Sequence, residues 1–531
     1  MQSKINWLPL TTLIIFSGVL GYATLTKGQS WGDDFASYIM QAQSVVEGNP
    51  NKFVEENGFT IVNSSQLLGP VAYPWGMPVL LAPLYRVFGP NMLALKSLNV
   101  VLYVLFLASI AFFLSDRHSD IFLLLFISFF ALNPTMLSSL NAVLSDIPFL
   151  FFSTTTVFFI GRVVIERRPL ISDLADHLLL GILFAVSFFI RTNGVLLILT
   201  AVGVQCVKIL QLALVDKTAN RNMVSLINSF LLSVTKFDWR TVSIRVSPYA
   251  TFVGLTLIWY RIFPQSEVSR LSYFTSLSLG MLYQHVMYYF ELPRTFFYAA
   301  SYSYIIYGAT FPFLLAGMVK SAYRDYHILL YAFFTVLLYL FYPFTGGLRL
   351  FFPLLPFYIH FVFLGINWYC KAFEGVWTRI VQGLVVCLLA VVALYFLRFS
   401  TQNAFANILV HRNVSSGPFA ETSHDMFSFI RENTPEDSVV VFFKPRAMRM
   451  LTNRRSVQVD NPHNLTLGSH LCIELGNDAG NLQLSDGTVQ QLLEDQKLHL
   501  IYQNSDFRLY RILNLYDNSM RPGGHTVTSG G

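Results

Sequence analysis

Long apolar runs joined by short polar loops fill most of the first 398 residues. The runs are Trp7 to Leu25, Ala94 to Leu114, Ile121 to Met136, Ile147 to Ile165, Leu178 to Ile190, Val195 to Leu214, Tyr249 to Phe263, Tyr302 to Val319, Ile328 to Pro343, Leu350 to Tyr369 and Ile380 to Leu397. Each reads as a membrane span, roughly eleven in all, for a hydrocarbon core about 30 Å thick. The division at Arg191-Thr192-Asn193-Gly194 is forced by length: a single helix from Leu178 to Leu214 would be about 37 residues, or roughly 55 Å. Trp7 to Leu25 follows Lys4 and lacks a small-residue cleavage site, so it reads as a retained first span.

Alternating these spans gathers Lys4, Arg117, Arg162, Arg167, Arg168, Lys217, Arg221, Lys236, Arg240, Arg245, Lys320, Arg324, Lys371 and Arg379 on one side. The positive-inside rule makes that side cytoplasmic, with the N-terminus inside. The opposite face then holds Asp33 and Asp34, the loop from Pro134 to Asp146, Arg191, the segment from Pro264 to Ser301, the Gly346-Gly347-Leu348-Arg349 turn and everything after Leu397.

From about Phe419 the apolar runs shorten to strand length, as in Ser438 to Phe443 and Leu498 to Tyr502, with helical stretches such as Val489 to Gln496 between them. The expected organisation is a transmembrane portion over 1–398, a linker over 399–418, an extracytoplasmic α/β domain over 419–515 and a flexible tail over 516–531. The fold class is mainly α: a polytopic transmembrane helical bundle with a small C-terminal α/β domain.

Composition agrees with that class. The chain has 531 residues, of which 54% are hydrophobic and 12% charged, about half the roughly 25% charge of a soluble protein. A net charge of +6, dispersed among loops, speaks for topology rather than nucleic acid. Four scattered cysteines make neither a disulfide framework nor a Cys-based zinc site.

The chemistry concentrates at Trp31-Gly32-Asp33-Asp34. Phe35, Tyr38, Ile39, Ala42, Val45 and Val46 follow at helical spacing, and Gly48-Asn49-Pro50 ends the run, so the acid pair heads a short amphipathic helix. An Asp there is also an ordinary N-cap. One cap needs one carboxylate, however, and the second must be desolvated beside Trp31 and Phe35. Asp146 heads a later helix with Pro148 behind it, which suits either a cap or a site acid. Arg349 and Arg191 have the planar fork that grips phosphate, and both also suit interfacial snorkelling. A carboxylate that accepts a hydroxyl proton and an arginine that stabilises a departing phosphate are equipment for glycosyl transfer from a lipid phosphate. His285, in the aromatic run Tyr283 to Tyr298, reads as a hydrogen-bonded interfacial residue. No Gly-rich dinucleotide fingerprint or P-loop is present in the sequence.

These residues carry a family resemblance. The acid pair with Tyr38 four residues on, then Tyr73-Pro74-Trp75-Gly76-Met77-Pro78, Leu144 to Phe149, Arg191 to Gly194 and Gly347-Leu348-Arg349 resemble the GT-C membrane glycosyltransferases. They are similar in particular to bacterial relatives of protein O-mannosyltransferases and of the lipid A aminoarabinose transferase. Ser438 to Val459, with Lys444-Pro445-Arg446, is similar to the outer domain of bacterial members. The resemblance implies an inverting transfer of a monosaccharide from a polyprenyl-phosphate donor to an acceptor hydroxyl on the extracytoplasmic face of a bacterial cytoplasmic membrane, with a lipid, glycan or protein acceptor. It assigns the role of base or substrate-positioning group to Asp33; the full set of candidates is Asp33, Asp34 and Asp146 for catalysis and Arg349, Arg191, Tyr38 and Tyr73 for substrate binding. The pair here is Asp-Asp where the family often has Asp-Glu. No acidic or histidine set commits the chain to a metal, so a divalent cation is admissible without being required. A lipid-linked-sugar flippase and a non-catalytic membrane scaffold are the competing readings; a transporter usually buries charge midway through its spans and has paired halves.

Overall fold

A computed structural model describes residues 6–66, 68–215, 239–265, 278–298, 302–343, 345–476 and 479–513. The expectations for Lys217, Arg221 and Lys236 and for the 516–531 tail lie outside the described residues. The chain divides into two units, Met1–Lys27 with Pro74–Arg412, and Gly28–Tyr73 with Asn413–Gly531.

The first unit is helical. Among the described residues seven helices are long and apolar enough to cross a membrane: Met92–Leu114, Asp146–Glu166, Asp173–Ile190, Val242–Ile262, Ser303–Phe341, Leu348–Lys371 and Val376–Leu409. Trp7–Ala23, Gly76–Phe88, Asp120–Ala131 and Thr192–Lys208 are shorter apolar helices. The break after Ile190 falls where expected: Arg191 is extended and a single 3-10 turn, Thr192–Gly194, precedes the next helix. A Cβ at Gly194 would run into the backbone of Ser187 and Phe188, so glycine is what lets the chain fold back there.

One expectation needs correction. Ile121 to Met136 is not one helix: Asp120–Ala131 stops, and the Asn133 side chain accepts the amides of Thr135 and Met136 to start a separate turn, Pro134–Ser139. Tyr302 to Val319 and Ile328 to Pro343 stand as two helices within Ser303–Phe341, parted where Asp325 leaves helical geometry at φ −111°, ψ 21°. Gly76–Phe88, with Pro83 inside it, is a further helix and is shorter than a span, as expected of a stretch not read as one.

The kink at Asp325 has a visible cause. Its buried carboxylate takes Arg117 at 3.0 Å and His360 at 3.6 Å, and His360 continues to His118 at 3.1 Å. Arg117 also reaches Glu166 at 2.6 Å, and Arg324 lies 3.8 Å from Glu166. Basic residues that the alternation assigned to one side thus meet at one end of the helices. The limb before Asp325 packs on the Leu355–Lys371 helix through reciprocal glycines: a Cβ on Gly317 would overlap Phe361 O, and one on Gly365 would overlap Phe313 O. Such small-residue contacts let helices approach closely where lipid provides no hydrophobic drive.

The second unit contains a five-stranded sheet of order β2-β1-β3-β5-β4, built from Val439–Val441 (β1), Arg455–Val457 (β2), His470–Glu474 (β3), Leu498–Gln503 (β4) and Phe507–Ile512 (β5). β1 runs parallel to β2 and β3, while β5 runs antiparallel to β3 and β4. Alternation sends Val440, Cys472 and Leu509 to one core with Met426, Phe427 and Met448. It sends Val441, Leu471, Ile473 and Tyr510 to the other with Val489 and Leu492.

Residues 28–73 belong to this unit rather than to the spans with which the sequence boundaries grouped them. The Trp31 ring sits edge-on among Phe427, Phe442, Phe443 and Phe507, with centroids 5.0 to 6.4 Å away. Ser65 N–H donates to Gln458 O at 2.8 Å and Gln458 N–H to Ser64 Oγ at 2.9 Å. The acid pair is therefore held by the α/β fold.

Candidate active site

In the second unit the helix Asp34–Val46 begins directly behind Asp33, whose carbonyl accepts Ser37 N–H at 3.2 Å. The Asp33 side chain occupies the N-cap position without capping. It turns instead to the start of the Pro445–Thr452 helix, where Ala447 N–H donates to Oδ1 at 3.4 Å. That helix opens on Pro445, whose fixed φ and missing N–H suit a first helical position. Asp33 is 8% exposed, and its Oδ2 is buried with no hydrogen-bond partner among the described residues.

Burial lifts the Asp33 carboxyl from its ordinary 3.8 to about 6, with Asp34 adding repulsion, while Arg446, Lys444 and the Ala447 N–H pull the other way. A carboxylate near pH 6 is a far stronger proton acceptor than an exposed one, yet remains mostly ionised at neutral pH.

Asp34 points elsewhere. Its Oδ1 accepts the Tyr73 hydroxyl at 2.5 Å, so it neither caps the helix nor shares a proton path with Asp33 through any observed contact. Tyr73 is locked at its backbone by Gln41, which accepts its N–H at 3.1 Å and donates to its carbonyl at 2.9 Å. Its ring lies 4.8 Å from that of Tyr38. Burial first, and then the Asp34 charge, push the Tyr73 hydroxyl well above its usual pKa, keeping it a donor.

Arg446 completes the cluster. It is fully buried, donates to Pro70 O at 2.6 Å and to the Tyr73 hydroxyl at 3.5 Å, and lies 5.4 Å over the Tyr73 ring. Gly69 stands at φ +99°, where an L side chain is strained and a Cβ would sit 3.0 Å from the Tyr73 hydroxyl. The motif Lys444-Pro445-Arg446 was visible in the sequence, but nothing local signalled that Arg446 would be buried beside residues some 370 positions earlier.

The other expected site residues lie in the helical unit. Asp146 heads its helix, and Arg191 Nη2 donates to Asp146 Oδ1 at 2.6 Å while Arg191 Nε donates to Ser145 Oγ at 2.9 Å. The guanidinium also lies 5.9 Å from the Phe149 ring. Asp146 and Arg191, two separate candidates in sequence, are thus one buried ion pair. Arg349 is exposed, donates from Nε to Gly346 O at 3.2 Å, and offers its outer nitrogens no other partner among the described residues. His285 is buried, with Nδ1 3.1 Å from Leu340 O. Among the described residues no three His, Cys, Asp or Glu side chains converge as a metal set.

No family model matches the sequence, and no curated protein matches it. Solved structures do. ArnT from Cupriavidus metallidurans bound to undecaprenyl phosphate superposes with TM-score 0.58 at 10% identity, over 94% of this chain and 97% of that one. The archaeal oligosaccharyltransferase AglB from Archaeoglobus fulgidus, in complex with an inhibitory peptide and a dolichol-phosphate, superposes with TM-score 0.52 at 12% identity, over 95% of this chain and 74% of that one. The apo form of the Archaeoglobus fulgidus enzyme gives TM-score 0.53 at 10% identity, over 96% and 75%. The chain shares its fold with ArnT and with AglB.

Proposed function

From the GT-C fold and the unpartnered, buried Oδ2 of Asp33, we propose that the chain is a membrane glycosyltransferase. It moves a monosaccharide from a polyprenyl-phosphate donor to an acceptor hydroxyl, with inversion. The hydroxyl oxygen forms a bond to the anomeric carbon as the bond from that carbon to the phosphate oxygen breaks. The hydroxyl proton passes to Asp33 Oδ2, and the electron pair leaves with the polyprenyl phosphate. The observation that carries this reading is Asp33 itself: a buried carboxylate oxygen with no hydrogen-bond partner among the described residues, at a cost that capping does not explain.

Asp34 and Arg446 serve as positioning groups. Asp34 fixes Tyr73 through its hydroxyl, and Arg446 limits how far burial raises Asp33. Arg349, whose outer guanidinium nitrogens have no partner among the described residues, is the proposed ligand for the donor phosphate. Asp146 holds Arg191 in place for the same charge, and Tyr38 supports Tyr73. The neighbouring structures contain undecaprenyl phosphate and dolichol-phosphate, which supports the donor class. The acceptor is a lipid, glycan or protein, and the reaction is placed on the extracytoplasmic face, with the N-terminus cytoplasmic.

The experiment is incubation of the purified chain with a panel of polyprenyl-phosphate monosaccharides and lipid, glycan and peptide acceptors. Time-dependent loss of one donor with release of polyprenyl phosphate supports the proposal. Movement of an intact lipid-linked sugar between leaflets of a vesicle, with no cleavage, would replace it with a flippase.

A further inference from the structure

The aromatic run from Tyr283 folds against the turn that carries Arg349. Its helix, Leu279–Glu291, sets His285, Tyr288 and Tyr289 at i, i+3 and i+4, on one face. His285 and Tyr289 are buried and Tyr288 is half-buried, while Tyr283 and Phe290, on other faces, are exposed. An interfacial aromatic belt keeps its polar tips at the headgroup level. Here the tips of His285 and Tyr288 turn inward instead, onto backbone groups of the chain between Leu340 and Leu350.

These contacts bracket Arg349. His285 Nδ1 lies 3.1 Å from Leu340 O, one of the last carbonyls of the Ser303–Phe341 helix, which have no partner within the helix. A carbonyl only accepts, so Nδ1 carries the proton and donates. Before Arg349, the Tyr288 hydroxyl accepts Gly347 N–H at 3.0 Å, at the residue whose φ of +66° opens the turn. After it, the hydroxyl of the buried Tyr339 donates to Leu350 O at 2.7 Å. The side chain is held as well, since Arg349 Nε donates to Gly346 O at 3.2 Å. Tyr339 is fixed through its ring, stacked 5.6 Å from Tyr289, and Tyr289 meets Tyr288 edge-on at 5.2 Å. One aromatic cluster thus supplies an acceptor to the residue two before Arg349 and a donor to the residue one after it.

An exposed arginine samples many rotamers, and a phosphate that binds it must first halt that motion, at a cost in affinity. A backbone and stem already fixed remove much of that cost. We propose that Tyr288 and Tyr339 are positioning residues for the donor: they fix the chain on either side of Arg349, so that its outer nitrogens stand ready for the phosphate. The role in donor binding rests on the reading of Arg349 as the donor-phosphate ligand, whereas the clamp on the turn does not.

The test is the affinity of the purified full chain in detergent for undecaprenyl phosphate and for the uncharged alcohol undecaprenol, with hydrogen exchange across the Arg349 turn as an independent readout. Tyr288→Phe and Tyr339→Phe keep both rings and delete one hydroxyl each. Each should weaken undecaprenyl phosphate about two- to tenfold, the effect of one ordinary hydrogen bond, and leave undecaprenol affinity unchanged. Tyr288→Phe should also speed exchange in the turn, because it frees the Gly347 N–H. In an Arg349→Ala background neither variant should weaken the phosphate further, since a group that acts through Arg349 loses its effect once Arg349 is gone. Tyr283→Phe, at the exposed start of the run, should change none of these values. Equal losses for phosphate and alcohol, or losses that persist in Arg349→Ala, would make the tyrosines structural only and overturn the proposal. A chain that transfers sugar but keeps native phosphate affinity in both variants would overturn the positioning role alone. A native chain that binds no undecaprenyl phosphate, with exchange still faster in Tyr288→Phe, would keep the clamp and remove the donor reading.

Discussion

Asp33→Asn should stabilise the protein while it destroys turnover. The native carboxyl is lifted from 3.8 to about 6, chiefly by burial, and the attraction of Arg446 and Lys444 is already contained in that value. A folded state that holds the proton more tightly than the unfolded chain loses stability as pH rises through the window between about 4 and 6. Above that window the ionised group costs on the order of 3 kcal/mol. Asparagine has the shape of the protonated acid and never ionises, so it avoids the cost. Melting temperatures of the native and Asp33→Asn chains, measured in detergent from pH 4 to pH 8, should nearly coincide at pH 4. They should separate through pH 6, with the variant higher, and run parallel above pH 7. A variant less stable than the native chain at pH 7.5, or a difference that does not change with pH, would show that Asp33 is not desolvated at a cost.

Three further outcomes follow from the same contacts. Tyr73→Phe removes the 2.5 Å bond to Asp34 and should cost about 1.5–3 kcal/mol in denaturant unfolding, with a smaller loss of turnover than Asp33→Asn causes; an unchanged midpoint would make that bond incidental. Arg349→Lys keeps the charge without the fork, so donor affinity should fall partway toward that of Arg349→Ala, and equal affinity in native and Arg349→Ala chains would remove Arg349 from the donor site. Asp325→Ala leaves Arg117 facing His360 without its carboxylate and should destabilise the helical unit by about 3–5 kcal/mol, read as melting temperature at fixed detergent, while a neutral result would mean the kink does not depend on that pair.

What could be read from the sequence was what local pattern encodes. Apolar runs located the helices, the glycine at 194 marked a break that its backbone contacts require, and the shortening of the apolar runs marked strands at 438–443 and 498–502. Asp33 and Asp34 were visible as the start of a helix. Adjacent positions at a helix start point in different directions, but the partners they meet, Ala447 and Tyr73, were not visible, because both arrive from distant chain segments. For the same reason Arg446 was seen as a motif and not as a buried neighbour of Tyr73. Asp146 and Arg191 looked like two independent candidates because sequence shows each at its own helix end, whereas their ion pair is a tertiary fact. The acid-pair segment read as the head of a short amphipathic helix beside the first span. It packs with the α/β unit because Trp31 finds four phenylalanines there, a preference no local window contains.

The most direct test of the central claim is the pH dependence of sugar transfer from a polyprenyl-phosphate donor by the native and Asp33→Asn chains. The account predicts that native turnover falls as pH drops through about 6, where Asp33 takes up its proton. It predicts that Asp33→Asn turns over about a hundredfold or more slowly at every pH, with that acid limb gone and donor affinity retained. An Asp33→Asn chain that transfers sugar at near-native rate, with the same limb, would contradict it.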